Sequence, residues 1–370
     1  MFNGDIKQTS PLRNYLAYQL EIDEAISKVL AAGDYVLGKE VSNLELEFAE
    51  FIGSEYSIGV SNGTDGITMC LSALGIQNGD EVITTSHTAT ATIAGIIAVG
   101  AKPVLVDIDR KSFNFEPELI LQAITPKTKA IIAVHLYGNP CDLNALMEIC
   151  KSKGLFLVED ASQAHGATYQ GAKVGTFGHM AVFSCYPTKN LGALGDAGLV
   201  TTNDFEFFEA LLLKRQYGWK QKNFAIDKGG NFRLDELQAS VLRVKLRHLP
   251  QMNNSRQETA QRYIEGLADL DIDLPYSATH VQHVYHQFVI SVDRRDEVKE
   301  FLEINGVLTN IHYPYPVHLQ PGYRGLVKVH GKLGNTISES KRILSLPMFP
   351  EISESEVARV INFLRQFFSK

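Results

Sequence analysis

The stretch Phe183-Ser-Cys-Tyr-Pro-Thr-Lys-Asn-Leu-Gly-Ala-Leu-Gly-Asp-Ala-Gly198 decides the fold. A short apolar run, Met180 to Phe183, leads into it and reads as a buried strand. The chain turns at Pro187 and presents a single lysine, Lys189. Gly192, Gly195 and Gly198 then allow tight turns and close backbone approach, and a second apolar run, Leu199-Val-Thr201, follows. A lysine on a glycine-rich connection between two buried strands is placed for chemistry, or it is a surface lysine in an ordinary hairpin. The segment alone leaves both readings open.

Working outward, strands and helices alternate. The pattern predicts strands at 81–85, 103–107, 130–135 and 155–160, with helices at 89–99, 116–123 and 143–153 between them. Short β-branched runs alternating with helical periodicity give crossover units and a mostly parallel, buried sheet. Ligands in such sheets bind at the carboxyl ends of the strands. The residues to inspect there are His87, Asp107, His135 with Tyr137, and Asp160. Asp160 ends a nearly apolar strand, where an acid is costly unless it meets a cation or donors. Asp107 precedes further charge, Asp109-Arg-Lys111, and reads as a structural turn residue. His165 either packs or reaches the site.

Nearer the start, one amphipathic helix is predicted over 12–32, capped by Gly33, and a second over 41–51 ending at Gly53. A short strand then runs into Ser61-Asn-Gly-Thr64 and a helix. A helix start presents unpaired N–H groups and a positive dipole end, so this one can hold a phosphate. Plain capping by Ser61 or Asn62 is the competing reading. Downstream, a helix covers 205–215, another begins at Leu234 and a further one spans 250–268. From about 280 a smaller α/β unit follows, with a strand at 286–292 and helices at 297–304, 337–345 and 353–368. The expected division is a large domain over 1–250 and a smaller one over 251–370.

Length and composition exclude several classes. A chain of 370 residues with 45% hydrophobic and 21% charged residues fits a soluble globular protein. A net charge of −7 argues against nucleic-acid binding. The start, Met1-Phe-Asn-Gly-Asp5, lacks the basic and apolar regions of a signal peptide, and no apolar run approaches a membrane span. Cys70, Cys141, Cys150 and Cys185 show no paired spacing, so no metal site or disulfide framework is expected, and a reducing cytoplasm is the expected home. Gly192 to Gly198 has GxxGxxG rather than GxGxxG spacing, and neither a Walker motif nor a nucleophile elbow is present.

A phosphate-binding helix start, a buried strand-end aspartate and a lone lysine are the parts a pyridoxal 5'-phosphate site needs. The lysine forms a Schiff base with the cofactor aldehyde, for which it must lose a proton, as partial burial favours. The aspartate keeps the pyridine nitrogen protonated so that the ring acts as an electron sink. The freed lysine then shuttles a proton.

At Tyr35-Val-Leu-Gly, Ser61-Asn-Gly-Thr, Val158-Glu-Asp-Ala-Ser-Gln-Ala-His-Gly-Ala, the Lys189 segment, Gly230-Asn-Phe-Arg-Leu-Asp-Glu-Leu-Gln-Ala and His312-Tyr-Pro-Tyr-Pro-Val-His, the chain resembles the DegT/DnrJ/EryC1/StrS sugar aminotransferases. The resemblance covers essentially the whole chain. It implies the aspartate aminotransferase-like fold type I: a large α/β domain with a mostly parallel mixed sheet flanked by helices, plus a smaller C-terminal α/β domain. It assigns Lys189 to the Schiff base, Asp160 to the pyridine nitrogen, Gln163 to the ring hydroxyl, and Gly63, Thr64 and Ser184 to the phosphate. Asn231 would reach the phosphate of the neighbouring subunit's cofactor, which implies a homodimer with shared active sites. His87, Tyr186, Arg215, Tyr217, His286, His312, Tyr313 and His318 are candidate substrate contacts, each with a structural alternative.

Family members transfer an amino group, usually from L-glutamate, to a nucleotide-linked keto-sugar. Tyr186-Pro-Thr-Lys189 with Gln163 is similar to members that aminate C3, which implies a dTDP-3-keto-6-deoxyhexose destined for a surface glycan such as a lipopolysaccharide O-antigen. A C4 sugar or keto-inositol substrate is the alternative. Ala89 departs from the aromatic that relatives often have nearby, so ring stacking falls to His87 or Tyr186 or is weak. Lys189 argues against the related dehydratases, in which histidine replaces the lysine. An amino-acid transaminase would need an arginine fork in the smaller domain, and none is evident. A non-catalytic regulator would not need the intact lysine, aspartate and phosphate loop.

Overall fold

The computed structural model describes residues 4–369; Met1–Asn3, on which part of the leader expectation rests, lie outside it. Its centre is an eight-stranded sheet in the order Tyr56–Val60, Gly198–Thr202, Met180–Ser184, Phe156–Asp160, Thr128–Val134, Glu81–Thr85, Lys102–Val106, Lys328–Val329. Gly198–Thr202 pairs antiparallel with both neighbours and the remaining pairs are parallel, so seven strands run one way and one is reversed. Helices make the crossovers from Tyr56–Val60 through to Phe156–Asp160, whereas Phe156–Asp160 connects to Met180–Ser184 through the short strands Thr168–Tyr169 and Ala172–Lys173.

The strands other than the exposed edge pair Lys328–Val329 are buried on both faces, and alternate side chains build two cores. Ala181, Phe183 and Leu199 face one core with helices Lys39–Ile52, Leu143–Lys153 and Glu236–Leu267. Val182 and Val200 face the other with helices Gly63–Ala73, Thr90–Ala98 and Phe205–Arg215. A third core lies around the antiparallel pair Phe288–Ser291 and Ile343–Leu346, under helices Arg295–Ile304 and Glu354–Phe368. Ile6 joins this third core and pairs with Val307, so the N-terminal end packs on C-terminal elements.

Three expectations are corrected. The predicted helix over 12–32 is two helices, Pro11–Ala17 and Gln19–Ala32. Tyr18 leaves helical geometry between them, and its ring stacks on His248 with centroids 4.2 Å apart. The two helices expected from 234 and over 250–268 are one 32-residue helix, Glu236–Leu267, with Pro250 inside it. A proline there removes one helical hydrogen bond. Leu246, Leu249 and Met252 on either side are buried in the first core and hold the helix together across it. Position 250, where the two domains were expected to meet, therefore falls inside this helix. The helix expected over 337–345 ends at Arg342, because Ile343–Leu346 forms a fully buried strand paired with Phe288–Ser291.

Asp107 is structural, as expected: its carboxylate accepts from the amides of Asn335 and Thr336 and from the Thr336 hydroxyl, fastening helix Gly334–Arg342 to the sheet. All four cysteines are buried and free. Among the described residues no helix is long and apolar enough to cross a membrane.

Candidate active site

Five strand ends surround a cavity of about 550 Å³, Val134 at the end of strand Thr128–Val134 among its lining. Strand Tyr56–Val60 delivers Asn62 and helix Gly63–Ala73. Strand Phe156–Asp160 ends in Asp160, with Ser162 and Gln163 just beyond. Strand Met180–Ser184 delivers Ser184, Tyr186 and Lys189. Strand Glu81–Thr85 leads to Thr88 and helix Thr90–Ala98.

The helix start is capped and also keeps free amides. Asn62 is its N-cap and accepts from the Asp65 amide at 2.9 Å, while its own side-chain amide donates to Asp65 at 2.7 Å. Ser61 also donates to Asp65. Capping thus engages Ser61, Asn62 and Asp65. The amides of Gly63 and Thr64 have no acceptor among the described residues, and both residues line the cavity. A helix terminus with free N–H groups facing a cavity can hold an anion. Glycine is required at its first position: a Cβ on Gly63 would stand 2.9 Å from the Ser184 Cβ.

Asp160 is 5% exposed. Its Oδ2 accepts from the Thr92 hydroxyl at 2.8 Å, and Oδ1 accepts only a long bond, 3.3 Å, from the Ser162 amide. The carboxylate lines the cavity with acceptor capacity left over. Glu159, the preceding residue, points to the opposite face and is 0% exposed. Its two oxygens accept from His135 Nε2 at 3.0 Å and from the amides of Gly175, Phe177 and Gly178 at 2.8, 3.0 and 2.8 Å. Burial pushes this carboxyl up, but the His135 and amide donors outweigh it and hold it below its ordinary value. His135 Nδ1 accepts from the Cys141 amide, which puts the ring proton on Nε2, toward Glu159.

Lys189 follows the turn at Pro187, its amide bonded to the Tyr186 carbonyl at 2.8 Å. Its Nζ makes no hydrogen bond among the described residues. Burial lowers its pKa to about 8, opposed by Asp160 and Cys185. About a tenth is therefore neutral amine at pH 7, far more than for an ordinary lysine.

Gln163 lies at the edge of the same cavity. Its Oε1 accepts from the Tyr137 amide at 2.7 Å and its Nε2 donates to the Tyr313 hydroxyl at 3.1 Å, leaving one N–H for the cavity. The Tyr137 hydroxyl donates to the His312 carbonyl, so His87 Nε2, 2.8 Å away, is the donor to Tyr137. His87 is buried against Phe113 rather than lining the cavity, and burial lowers its pKa to about 4. Ala89 does line it, with Tyr186 as the aromatic at the mouth.

The other candidates are placed as follows. His312 Nδ1 bonds Ser345 Oγ at 2.8 Å, and burial with the nearby Lys189 lowers its pKa to about 4. His318 Nδ1 bonds Ser86 Oγ at 2.7 Å, docking the 312–318 segment beside strand Glu81–Thr85. His286 is buried with Nδ1 unpartnered. Arg215 pairs with Glu45 at 2.6 Å, while Tyr217 lies beside Trp219 and Arg233. Asn231 is exposed and bridges to Gln216. None of Arg215, Tyr217, Asn231, His286, His312 and His318 lines the cavity of this chain. His165 packs against Phe183, with burial lowering its pKa to about 3.

Sequence reasoning missed Thr88, Thr92, Ser162 and Asp196. The rule that ligands gather after strand ends covers Thr88 and Ser162, yet a hydroxyl carries no signal by itself. Asp196 sits within the glycine-rich connection that was read only for its glycines.

A family model described as the DegT/DnrJ/EryC1/StrS aminotransferase family matches residues 17–365. A Streptomyces venezuelae protein named dTDP-3-amino-3,4,6-trideoxy-alpha-D-glucose transaminase is 43% identical over 354 residues, covering 95% of this chain and 93% of its own. An Acidithiobacillus ferrooxidans protein named UDP-N-acetyl-3-dehydro-alpha-D-glucosamine 3-aminotransferase is 40% identical, covering 96% of this chain and 95% of its own. A crystal structure of S. venezuelae DesV with a ketimine intermediate superposes with a TM-score of 0.97 at 42% identity, covering 99% of each chain.

Proposed function

This chain belongs to the DegT/DnrJ/EryC1/StrS aminotransferase family, and on that premise we propose that it moves an amino group from L-glutamate to C3 of a dTDP-linked 3-keto-6-deoxyhexose. It is a pyridoxal 5'-phosphate-dependent transaminase. The observation that carries the residue assignment is the convergence on one cavity of a lysine with a lowered pKa, a partly satisfied aspartate and a helix start with two free amides. These groups fit the cofactor's amine-reactive carbon, ring nitrogen and phosphate respectively.

When bound, pyridoxal 5'-phosphate supplies an aldehyde that condenses with amines and a ring that takes up electrons from the reacting carbon. The amides of Gly63 and Thr64, with Ser184, bind the phosphate. Asp160 holds the proton at the ring nitrogen. Gln163 offers its remaining N–H to the ring oxygen. Lys189 Nζ, in its neutral form and without a competing hydrogen bond, takes the proton from the amino-bearing carbon of the donor and returns one to the acceptor.

Both relatives described above are named for chemistry at position 3 of the sugar, which supports C3 over C4. They differ in nucleotide, and the dTDP reading rests on the relative with the higher identity of the two. A homodimer is part of this reading. Asn231 lies outside its own chain's cavity, where it is free to serve a second copy, and Tyr35, Val36, Tyr186 and Leu194 are exposed apolar groups for such a copy to cover. The enzyme works in the cytoplasm and supplies an aminosugar for a surface glycan.

The test is the absorbance spectrum of the purified protein. Loss of a visible cofactor band on adding L-glutamate, and its return on adding a dTDP-3-keto-6-deoxyhexose but not the 4-keto isomer, is the expected result. Return with the 4-keto sugar alone would move the reaction to C4. Return only with a UDP-linked sugar would change the nucleotide.

A further inference from the structure

Thr88 and Thr92 lie one helical turn apart at the start of helix Thr90–Ala98, and both are buried. Their hydroxyl oxygens are 2.9 Å apart, and Thr92 Oγ1 stands 2.8 Å from Asp160 Oδ2. Counting protons gives this chain a direction. An ionised carboxylate only accepts, so the one Thr92 proton goes to Asp160. Thr92 then accepts, and Thr88 must donate to it. The Thr88 side is open to the cavity, while Thr92 is 0% exposed and has no water to replace the bond.

We propose that Thr92, supported by Thr88, is a positioning residue that fixes the Asp160 carboxylate and sets how strongly it holds the proton on the cofactor ring nitrogen. The inference rests on the assignment of Asp160 to that nitrogen. The physical ground is selective engagement of one oxygen. Oδ2 is anchored by a neutral hydroxyl, and Oδ1 carries only the 3.3 Å amide bond, so Oδ1 remains the stronger acceptor. A hydrogen bond to one oxygen of a carboxylate drains charge from the group and locks its rotamer. The titratable groups whose fields reach Asp160 are Lys189, Tyr313 and Cys141, and none of them occupies the Thr92 position.

The experiment compares wild type, Thr92→Val, Thr92→Ser and Asp160→Asn as full-length protein. Each is stripped of cofactor and reloaded with pyridoxal 5'-phosphate. Two readouts are taken: the dissociation constant for the cofactor, and the pH midpoint of the visible band. Thr92→Val keeps the shape and removes the donor. Loss of a hydrogen bond to a charged group predicts cofactor binding about tenfold weaker, with a displaced midpoint, and Thr92→Ser should restore both. A displaced Asp160→Asn band with an unchanged Thr92→Val overturns the proposal and leaves the Asp160 assignment standing. If neither variant changes, both fall. If Thr92→Ser behaves like Thr92→Val, returning the hydroxyl does not return the function, and the proposal is wrong. Should Thr92→Val fail to fold, Thr88→Val removes the upstream donor and must displace the midpoint in the same direction by a smaller amount; an unchanged midpoint there overturns the proposal.

Discussion

Glu159 and Asp160 are neighbouring acids on one strand, both buried, and they do opposite things. Glu159 faces the core beneath helices Lys39–Ile52 and Leu143–Lys153, where four N–H donors saturate it. Asp160 faces the cavity with one firm donor and one long one. The difference teaches that burial does not mark a chemical acid. What marks it is unused acceptor capacity directed at a space large enough for a ligand. The saturated acid is a fastener for the 175–178 turn; the unsaturated one is available to a partner that the chain itself does not supply.

The comparison can be broken or sharpened by substitution. The largest effect belongs to the group Asp160 works with. Lys189→Ala should lower transamination by at least about 10³-fold, the upper range for loss of a general acid–base group, and abolish the covalent visible band; mass spectrometry after borohydride reduction checks the attachment. Next come the two acids themselves. Asp160→Asn should cut turnover by roughly 10²-fold with little change in the melting of the stripped protein. Glu159→Gln puts an NH₂ against N–H donors, so it should destabilise by about 3 kcal/mol, as leaving a buried donor unsatisfied does, and leave the band position alone. Chemical denaturation and spectra of the same two variants decide the matter. If Glu159→Gln moves the band and Asp160→Asn does not, the division of labour is the reverse of that argued above.

A third test uses pH. Burial places the Lys189 ammonium below its ordinary value, at about 8, so the neutral amine grows as pH rises. The rate of reloading stripped protein with cofactor should rise roughly tenfold between pH 7 and 9 and then level off. A rate still climbing past pH 10 would mean an unperturbed lysine. The smallest effect is expected at Gly63, whose added Cβ meets the Ser184 Cβ at 2.9 Å. Gly63→Ala should weaken cofactor phosphate binding by about fivefold, since overpacking shifts the helix start, and the competing affinity for inorganic phosphate should fall in parallel.

The alternation of β-branched runs with helical periods was enough to predict a mostly parallel sheet, and the lysine, the strand-end aspartate and the capped helix start were legible because each is an odd residue in its local pattern. Other features depend on contacts between distant segments. The reversal of Gly198–Thr202 arises because its turn returns through Gly192 and Gly195 beside the strand it left. Pro250 reads as a helix break, and only the burial of Leu246, Leu249 and Met252 shows why the helix persists. Glu159 carries no mark in the sequence that separates it from Asp160, since its donors come from His135 and from a turn some residues downstream. Thr92 was hidden for the same reason: a threonine in an apolar helix looks like core until its hydroxyl is seen at Asp160.

The pairing of Lys328–Val329 with Lys102–Val106 has a consequence for how the protein is made. A ribosome emits the chain from its N-terminal end, and the strand Lys102–Val106 appears long before the partner that closes its outer side. Throughout that interval the nascent sheet carries an open edge of unpaired backbone groups, the kind of template that recruits other chains. Ile6 likewise waits for Val307 and the third core. The margins of this fold are sealed last, so its most aggregation-sensitive moment falls late in translation, when the large sheet is mostly built and its edge is still bare.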